Sequence, residues 1–248
     1  TRLVAGNYQL RRNMSMREVA SALFHGRSAR MVLTVPAGWR VEQLAAHLDR
    51  QGIMDGNQFL AEVRRGDALD HPLLAALPPG HSLEGYLFPG SYQVLDSATP
   101  RDLGLGMREH MANRLPPNAP DLARQQGLTF HEALTLASII ERETLVIEER
   151  PLMASVFLNR LRSQIHLQAD PTVQYAMGYQ PDTGQWWKTP VRLEEYEAVD
   201  SPYNTYLYAG LPPGPIASPS LASIMAVLQP AQSDYLFFVC RNSNCDRG

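Results

Sequence analysis

One stretch constrains the chain more than any other. Thr129-Phe130-His131-Glu132 has the order of a capping box, in which the Thr hydroxyl takes the amide three residues on and the Glu reaches back. Beyond it, apolar residues recur at helical spacing: Ala133, Leu136, Ala137, Ile140 and Ile147. On a wheel stepping about 100° per residue with Leu136 at zero, Ile140 falls at roughly 40°, Ile147 at roughly 20° and Glu143 at roughly −20°. Glu143 is therefore expected in the middle of the apolar stripe, with Glu141 and Glu148 at roughly 120° to 140°, on its margin. A carboxylate on a core-facing stripe must pair, neutralise or line a cavity. Burial raises its pKa, which is what a general acid near neutral pH requires. The competing reading is a structural glutamate salt-bridged to a neighbour such as Arg160, and Glu141 reads as a solvated or rim-facing charge.

The rest of the chain predicts an α+β fold. Val4–Leu10 reads as a strand, and Ser15-Met16-Arg17-Glu18 as another capping box, opening a helix that stops at Gly26. Met31–Val35 is a β-branched strand bounded by Pro36. Val41, Leu44, Ala45 and Leu48 form an apolar helical stripe ending near Gly52, and Asn57 is placed as cap of a helix from Gln58 to Arg65. Residues 66–82, rich in Gly, Pro, His and Asp, mark a boundary or hinge. Glu84–Val94 reads as strand, turn, strand. Thr99-Pro100-Arg101-Asp102 starts a helix that runs to about Asn113. Pro151 suits the first turn of a helix carrying Val156, Leu158 and Leu161. Residues 165–184 read as irregular or short-strand, residues 201–219 as loop, Leu221–Leu228 as a short helix and Tyr235–Val239 as a β-rich run.

A formal net charge of −3 gives no basic footprint and argues against nucleic acid; a neutral or weakly charged glycan fits at least as well. No apolar run of about 18 residues is present to span a bilayer. The seven histidines lack metal-binding spacing, so no metal or other cofactor is expected. Cys240 and Cys245 read as two unrelated thiols. Asn159, Gln168, Asp170, Thr172, Tyr203, Asn204, Thr205 and Tyr206 are hydrogen-bonding residues, most of them in turn-rich stretches, where a rigid scaffold can turn loops to function. Trp186-Trp187 reads as partial core burial rather than ligand stacking. Gly210–Pro215 reads as a stiff connector that could also wall a groove.

Several ordered motifs carry a family resemblance. Leu136-Ala137-Ser138-Ile139-Ile140-Glu141-Arg142-Glu143-Thr144 resembles the A-S-I-[IV]-E-[KR]-E-[AT] signature of the YceG-like (MltG) endolytic murein transglycosylases. The likeness continues in Ala154–Leu161, Leu167–Tyr175, Ser201–Tyr206, Gly210–Ile216 and Tyr235–Val239, and in the Glu84-Gly85-Tyr86-Leu87-Phe88-Pro89 turn. The chain departs from the family pattern at Pro89-Gly90-Ser91-Tyr92, where the family has an Asp after the Pro, and it stops at Gly248, before an H-x-F…N segment.

The resemblance implies LysM-like β-α modules over residues 1–75 and a C-terminally truncated, mixed α+β catalytic domain over residues 76–248. It implies an excised fragment whose native form is held by an N-terminal anchor at the extracytoplasmic face of the membrane. The substrate implied is nascent peptidoglycan, cut within the strand to leave 1,6-anhydro-MurNAc ends, with cell-wall synthases as partners. The second Glu of the E-x-E pair, Glu143, is implied as the acid/base. Ser138 and Glu141 of the same signature join the substrate-facing set, with Asn159, Gln168, Asp170, Thr172, Tyr203, Asn204, Thr205 and Tyr206. The rival readings are a hydrolase using Asp170 as second carboxylate, and a non-catalytic glycan-binding scaffold.

Overall fold

A computed structural model describes residues 14–25, 29–66, 77–78, 80–95 and 97–239. The expected strand at Val4–Leu10, the stop at Gly26, most of the expected hinge and both cysteines lie outside these residues.

Helix α1 (Met16–His25) opens with the expected box: the Ser15 amide donates to Glu18 Oε2 at 2.7 Å and the Glu18 amide to Ser15 Oγ at 3.3 Å. Strand β1 (Ala29–Val35) is followed by α2 (Val41–Arg50) and α3 (Gly56–Val63). It pairs antiparallel with β2 (Gly90–Leu95), Val35 opposite Gly90 and Leu33 opposite Tyr92. Period-two alternation turns Leu33 and Val35 inward and leaves Val32 exposed. The apolar stripe of α2 enters the same core as Leu33 and Val35, with Val41, Leu44, Ala45 and Leu48 all buried. Residues 29–95 thus form a β–α–α–β unit. Strand β1 finds its partner strand beyond residue 75.

Local details depart from expectation. The cap of α3 is Asp55, which accepts from the amides of Asn57 and Gln58 at 2.8 and 3.0 Å; Asn57 already lies inside the helix. Residues 84–87 are turn rather than strand. Gly85 there has φ +81°, and a Cβ would sit 2.4 Å from Pro215 Cβ, so the turn packs against the 210–216 loop only because this residue has no side chain.

The remaining helices are α4 (Pro100–Arg114), α5 (Ala119–Gln125), α6 (Phe130–Glu143), α7 (Arg150–Arg162), α8 (Asp170–Met177), α9 (Leu193–Ala198) and α10 (Leu221–Leu228). Helices α4 and α6 open with complete capping boxes at Thr99/Asp102 and Thr129/Glu132. Ala133, Leu134, Leu136, Ala137, Ile139 and Ile140 have no exposed surface, so α6 is enclosed on nearly every side, by α5, α7, α8 and α10. It is the rigid centre of this region. It ends at Glu143, and Ile147 lies beyond it in a 3₁₀ turn, exposed.

Two further readings are corrected. Residues 165–184 contain α8. Tyr235–Val239 pairs with no strand among the described residues; its backbone is fastened by side chains of α7, Asn159 to Tyr235 O at 3.0 Å and Arg160 to Leu236 O at 2.7 Å. Among the described residues, no helix is long and apolar enough to cross a membrane.

Candidate active site

Three consecutive residues at the end of α6 face three different environments, as steps of about 100° require. Glu141 is buried in an ion pair: Arg150 Nη1 and Nη2, from the start of α7, each donate to one of its oxygens at 3.1 Å. The Ser220 amide and hydroxyl donate to the same carboxylate at 2.9 and 2.5 Å. Ser220 caps α10, so this carboxylate joins α6, α7 and α10. It is neither solvated nor rim-facing. Arg142 lies over the Trp187 ring, its guanidinium carbon 4.2 Å from the centroid. The reading of Trp187 as partly buried core agrees with this packing.

Glu143 has no hydrogen bond or ion pair with any described residue. Burial pushes its carboxyl up to about 7, the charge of Asp170 adds to the shift, and Arg160 opposes it. Arg160 forms no ion pair with Glu143. Its guanidinium donates to Leu236 O and Leu167 O, both at 2.7 Å, and fastens the chain end to the loop before α8.

Asp170 opens α8. Its Oδ1 accepts from Tyr206 Oη at 2.6 Å and its Oδ2 from Tyr196 Oη at 2.9 Å. The structure therefore brings together Glu143, Asp170 and Tyr206 of the expected set, and adds Tyr196. Gln168 precedes this group in an exposed left-handed turn at φ +49°.

The other expected residues are committed to scaffolding. Ser138 is buried, donating to Thr135 O at 2.7 Å and accepting from the Ile216 amide at 3.0 Å. Thr172 and Thr205 are buried with hydroxyl oxygens 2.9 Å apart, and Thr205 Oγ1 also accepts from the Ala169 amide at 3.0 Å. The buried Asn204 amide donates to Tyr196 O and Val199 O, both at 2.9 Å. Asn159 donates to Ser233 O at 2.7 Å and lines an open recess of about 510 Å³ that does not include Glu143. No motif singles out Tyr196, whose position depends on where α9 packs.

A second polar cluster gathers other motif residues around Tyr175, Glu84 and His131. Tyr203 packs on Tyr175 with centroids 4.8 Å apart, and Arg40 lies over the Tyr175 ring at 4.2 Å. His131 Nδ1 is 3.0 Å from Tyr86 Oη and its Nε2 3.1 Å from Pro213 O, tying α6 to the 84–89 turn and the 210–216 loop. Glu84 is buried with Oε2 accepting from the Val41 amide at 3.0 Å and Oε1 without a hydrogen-bond partner. Burial raises its carboxyl to about 8, the charge of Glu42 adding, while the Val41 amide and Arg40 pull it down. A raised acid stabilises the fold fully below its unfolded pKa, and that contribution is lost as pH climbs to the folded value. Glu84→Gln cannot ionise. Its stability relative to the unsubstituted protein is expected to rise between about pH 4.5 and 8, by on the order of 4 kcal/mol. Urea melts at pH 4.5 and 8.5 test this; a stability difference between the two proteins that is the same at both pH values would contradict it.

Among the described residues, no group of three or more His, Cys, Asp or Glu could hold a metal ion.

The profile of the YceG-like family matches residues 1–247. A Streptococcus pneumoniae protein named endolytic murein transglycosylase is 33% identical over 261 residues, covering 96% of this chain and 47% of that protein. A Bacillus subtilis protein of the same name is 32% identical over 251 residues, covering 96% and 67%. The crystal structure of a yceG-like protein from Listeria monocytogenes matches with a TM-score of 0.72 at 31% identity, over 96% of this chain and 80% of that one. The chain spans about half the length of the pneumococcal relative and about two thirds of the Bacillus one.

Proposed function

The chain belongs to the YceG-like family, and from that premise we propose that it is an endolytic lytic transglycosylase of peptidoglycan with Glu143 as its single acid/base. One observation carries the reading: Glu143 is held at the end of a closely packed helix, raised to about 7, with no hydrogen-bond or ion-pair partner among the described residues. The relatives named endolytic murein transglycosylases supply the substrate class.

In the first step Glu143 protonates the glycosidic oxygen between MurNAc and GlcNAc, and the C1–O bond breaks. The carboxylate left behind then takes the proton of the MurNAc C6 hydroxyl as that oxygen closes on C1. The proton returns to Glu143, a 1,6-anhydro-MurNAc end forms, and no water is consumed. The two roles need a group that is protonated at rest and readily ionised, which a carboxyl near 7 satisfies. The β–α–α–β unit of residues 29–95 has the element order of a LysM-like module, and we assign it to glycan contact. Action on peptidoglycan places the site at the extracytoplasmic face, where cell-wall synthases are the natural partners.

The nearness of Asp170 to Glu143 favours a second reading, a hydrolase that activates water or forms a glycosyl intermediate. Both Asp170 oxygens already accept hydroxyl protons, which weakens it as a nucleophile or base and favours the lyase. Mass spectrometry of digested glycan strands separates the two: anhydro ends are expected, reducing MurNAc ends would establish the hydrolase, and binding without cleavage would establish a scaffold. The rate is expected to fall about tenfold per pH unit above roughly pH 7 as Glu143 ionises in the free protein. A pH profile of kcat/KM that stays flat to pH 9 would remove Glu143 as the acid.

A further inference from the structure

Three segments converge on the Asp170 carboxylate, and each is fixed by buried polar bonds. Asn204 bonds the backbone of Tyr196 and Val199 through its amide, while its Oδ1 accepts from the Tyr206 amide at 3.0 Å. The carrier of one tyrosine is thereby tied to the carrier of the other. Thr205 and Thr172 share a hydrogen bond, and the Gln168 amide donates to Thr205 O at 3.1 Å, which ties the start of α8 to the same turn. The Tyr196 and Tyr206 rings pack with centroids 4.3 Å apart. A satisfied buried network of this kind holds a single geometry. What it holds is a carboxylate with one hydroxyl on each oxygen, near Glu143, which bonds to no other described residue.

The charged and titratable groups that bear on Glu143 come from α7, α8, α9 and the turn at Tyr206. Asp170 on α8 raises it, and Arg160 on α7 opposes with a guanidinium already spent on carbonyls. Tyr196 on α9 and Tyr206 in the turn after Asn204 feel the charge of Glu143 in return. Its own neighbours Glu141 and Arg142 are turned to Arg150 and Trp187.

We propose that Asp170, clamped by Tyr196 and Tyr206, is a positioning residue that keeps a fixed negative charge beside Glu143 and so keeps Glu143 a proton donor, with Tyr196 an unassigned member of the site. The proposal rests on the reading of Glu143 as the acid. The clamp matters because a free carboxylate would swing toward solvent, where its field on Glu143 is screened.

The test is the titration of the Glu143 carboxyl carbon by NMR in protein labelled at glutamate side chains, its signal assigned by Glu143→Gln. It is paired with pH profiles of glycan cleavage. In Asp170→Asn the Glu143 midpoint is expected to fall by about one pH unit or more, and the alkaline limb of kcat/KM to move with it. In Tyr196→Phe the midpoint moves the same way by less, and kcat falls about tenfold while KM changes little. A purely structural role would lower the rate in both variants and leave the midpoint in place. A midpoint unmoved in Asp170→Asn overturns the proposal. If Asp170→Asn does not fold, an unmoved midpoint and unchanged kcat in Tyr196→Phe overturn it equally. Failure of the wild type to cut glycan would refute the proposed function, while the titration midpoints would still decide this inference.

Discussion

Glu143→Gln is expected to cut glycan strands at least 10²- to 10⁴-fold more slowly than the unsubstituted protein, the usual range for a lost general acid. The loss falls on kcat, because glutamine keeps the shape and the neutral charge of the resting acid but has no proton to lend. The variant should fold normally and be more stable above pH 7. In the unsubstituted protein the carboxyl is raised to about 7 from 4.5, so its contribution to stability is present below 4.5 and lost as pH climbs through 7. The glutamine has nothing to ionise. Counting anhydro ends released per minute, alongside urea melts at pH 5 and pH 8.5, checks both halves. Cleavage at the unsubstituted rate would end the case for this site.

Glu141→Ala, two residues away, is expected to act on the fold instead. It would leave Arg150 buried without its anion and strip Ser220 of the acceptor that its amide and hydroxyl share. Breaking a buried ion pair from one side costs about 3–5 kcal/mol. At about 2–4 °C per kcal/mol for a chain of this size, the melting temperature should drop by roughly 6–20 °C. Activity should fall too, since α6, α7 and α10 lose their common tie beside Glu143, but it should recover in part on cooling below the new transition. Exchange of both partners, Glu141→Gln with Arg150→Met, should cost less than the single alanine, because no uncompensated charge remains. Calorimetry of the three proteins decides. A Glu141→Ala protein melting within a degree or two of the unsubstituted one would show the pair to be idle.

The contrast between these carboxylates shows where sequence reading stops. The capping boxes at Ser15 and Thr129 and the helix start at Thr99 form as expected because each closes within one turn. The apolar stripe of α2 is buried as its spacing requires. The end of α6 was not legible: no Gly or Pro falls between Thr144 and Arg150, so Ile147 reads as a continuation. The helix stops where Arg150 folds back onto Glu141, a contact nine residues along the chain. Tyr235–Val239 has strand composition but no neighbouring strand among the described residues, and strand propensity has effect only against a partner surface. Thr172, Asn204 and Thr205 read as sugar-facing because polar side chains in turns usually meet solvent. Here the turns are buried, and their backbone groups consume those hydroxyls and amides.

By itself the sequence determined the α+β class, the capped helices and the presence of a glutamate on an apolar helical face, all set by interactions a few residues long. The wheel already set Glu143 apart from Glu141; only tertiary structure decided what surrounds each of them. The partners that occupy Glu141 and Arg142 lie at Ser220 and Trp187, and Asp170 reaches Glu143 from another helix. Burial and charge act through space, so identical side chains two residues apart become a structural tie and a candidate acid.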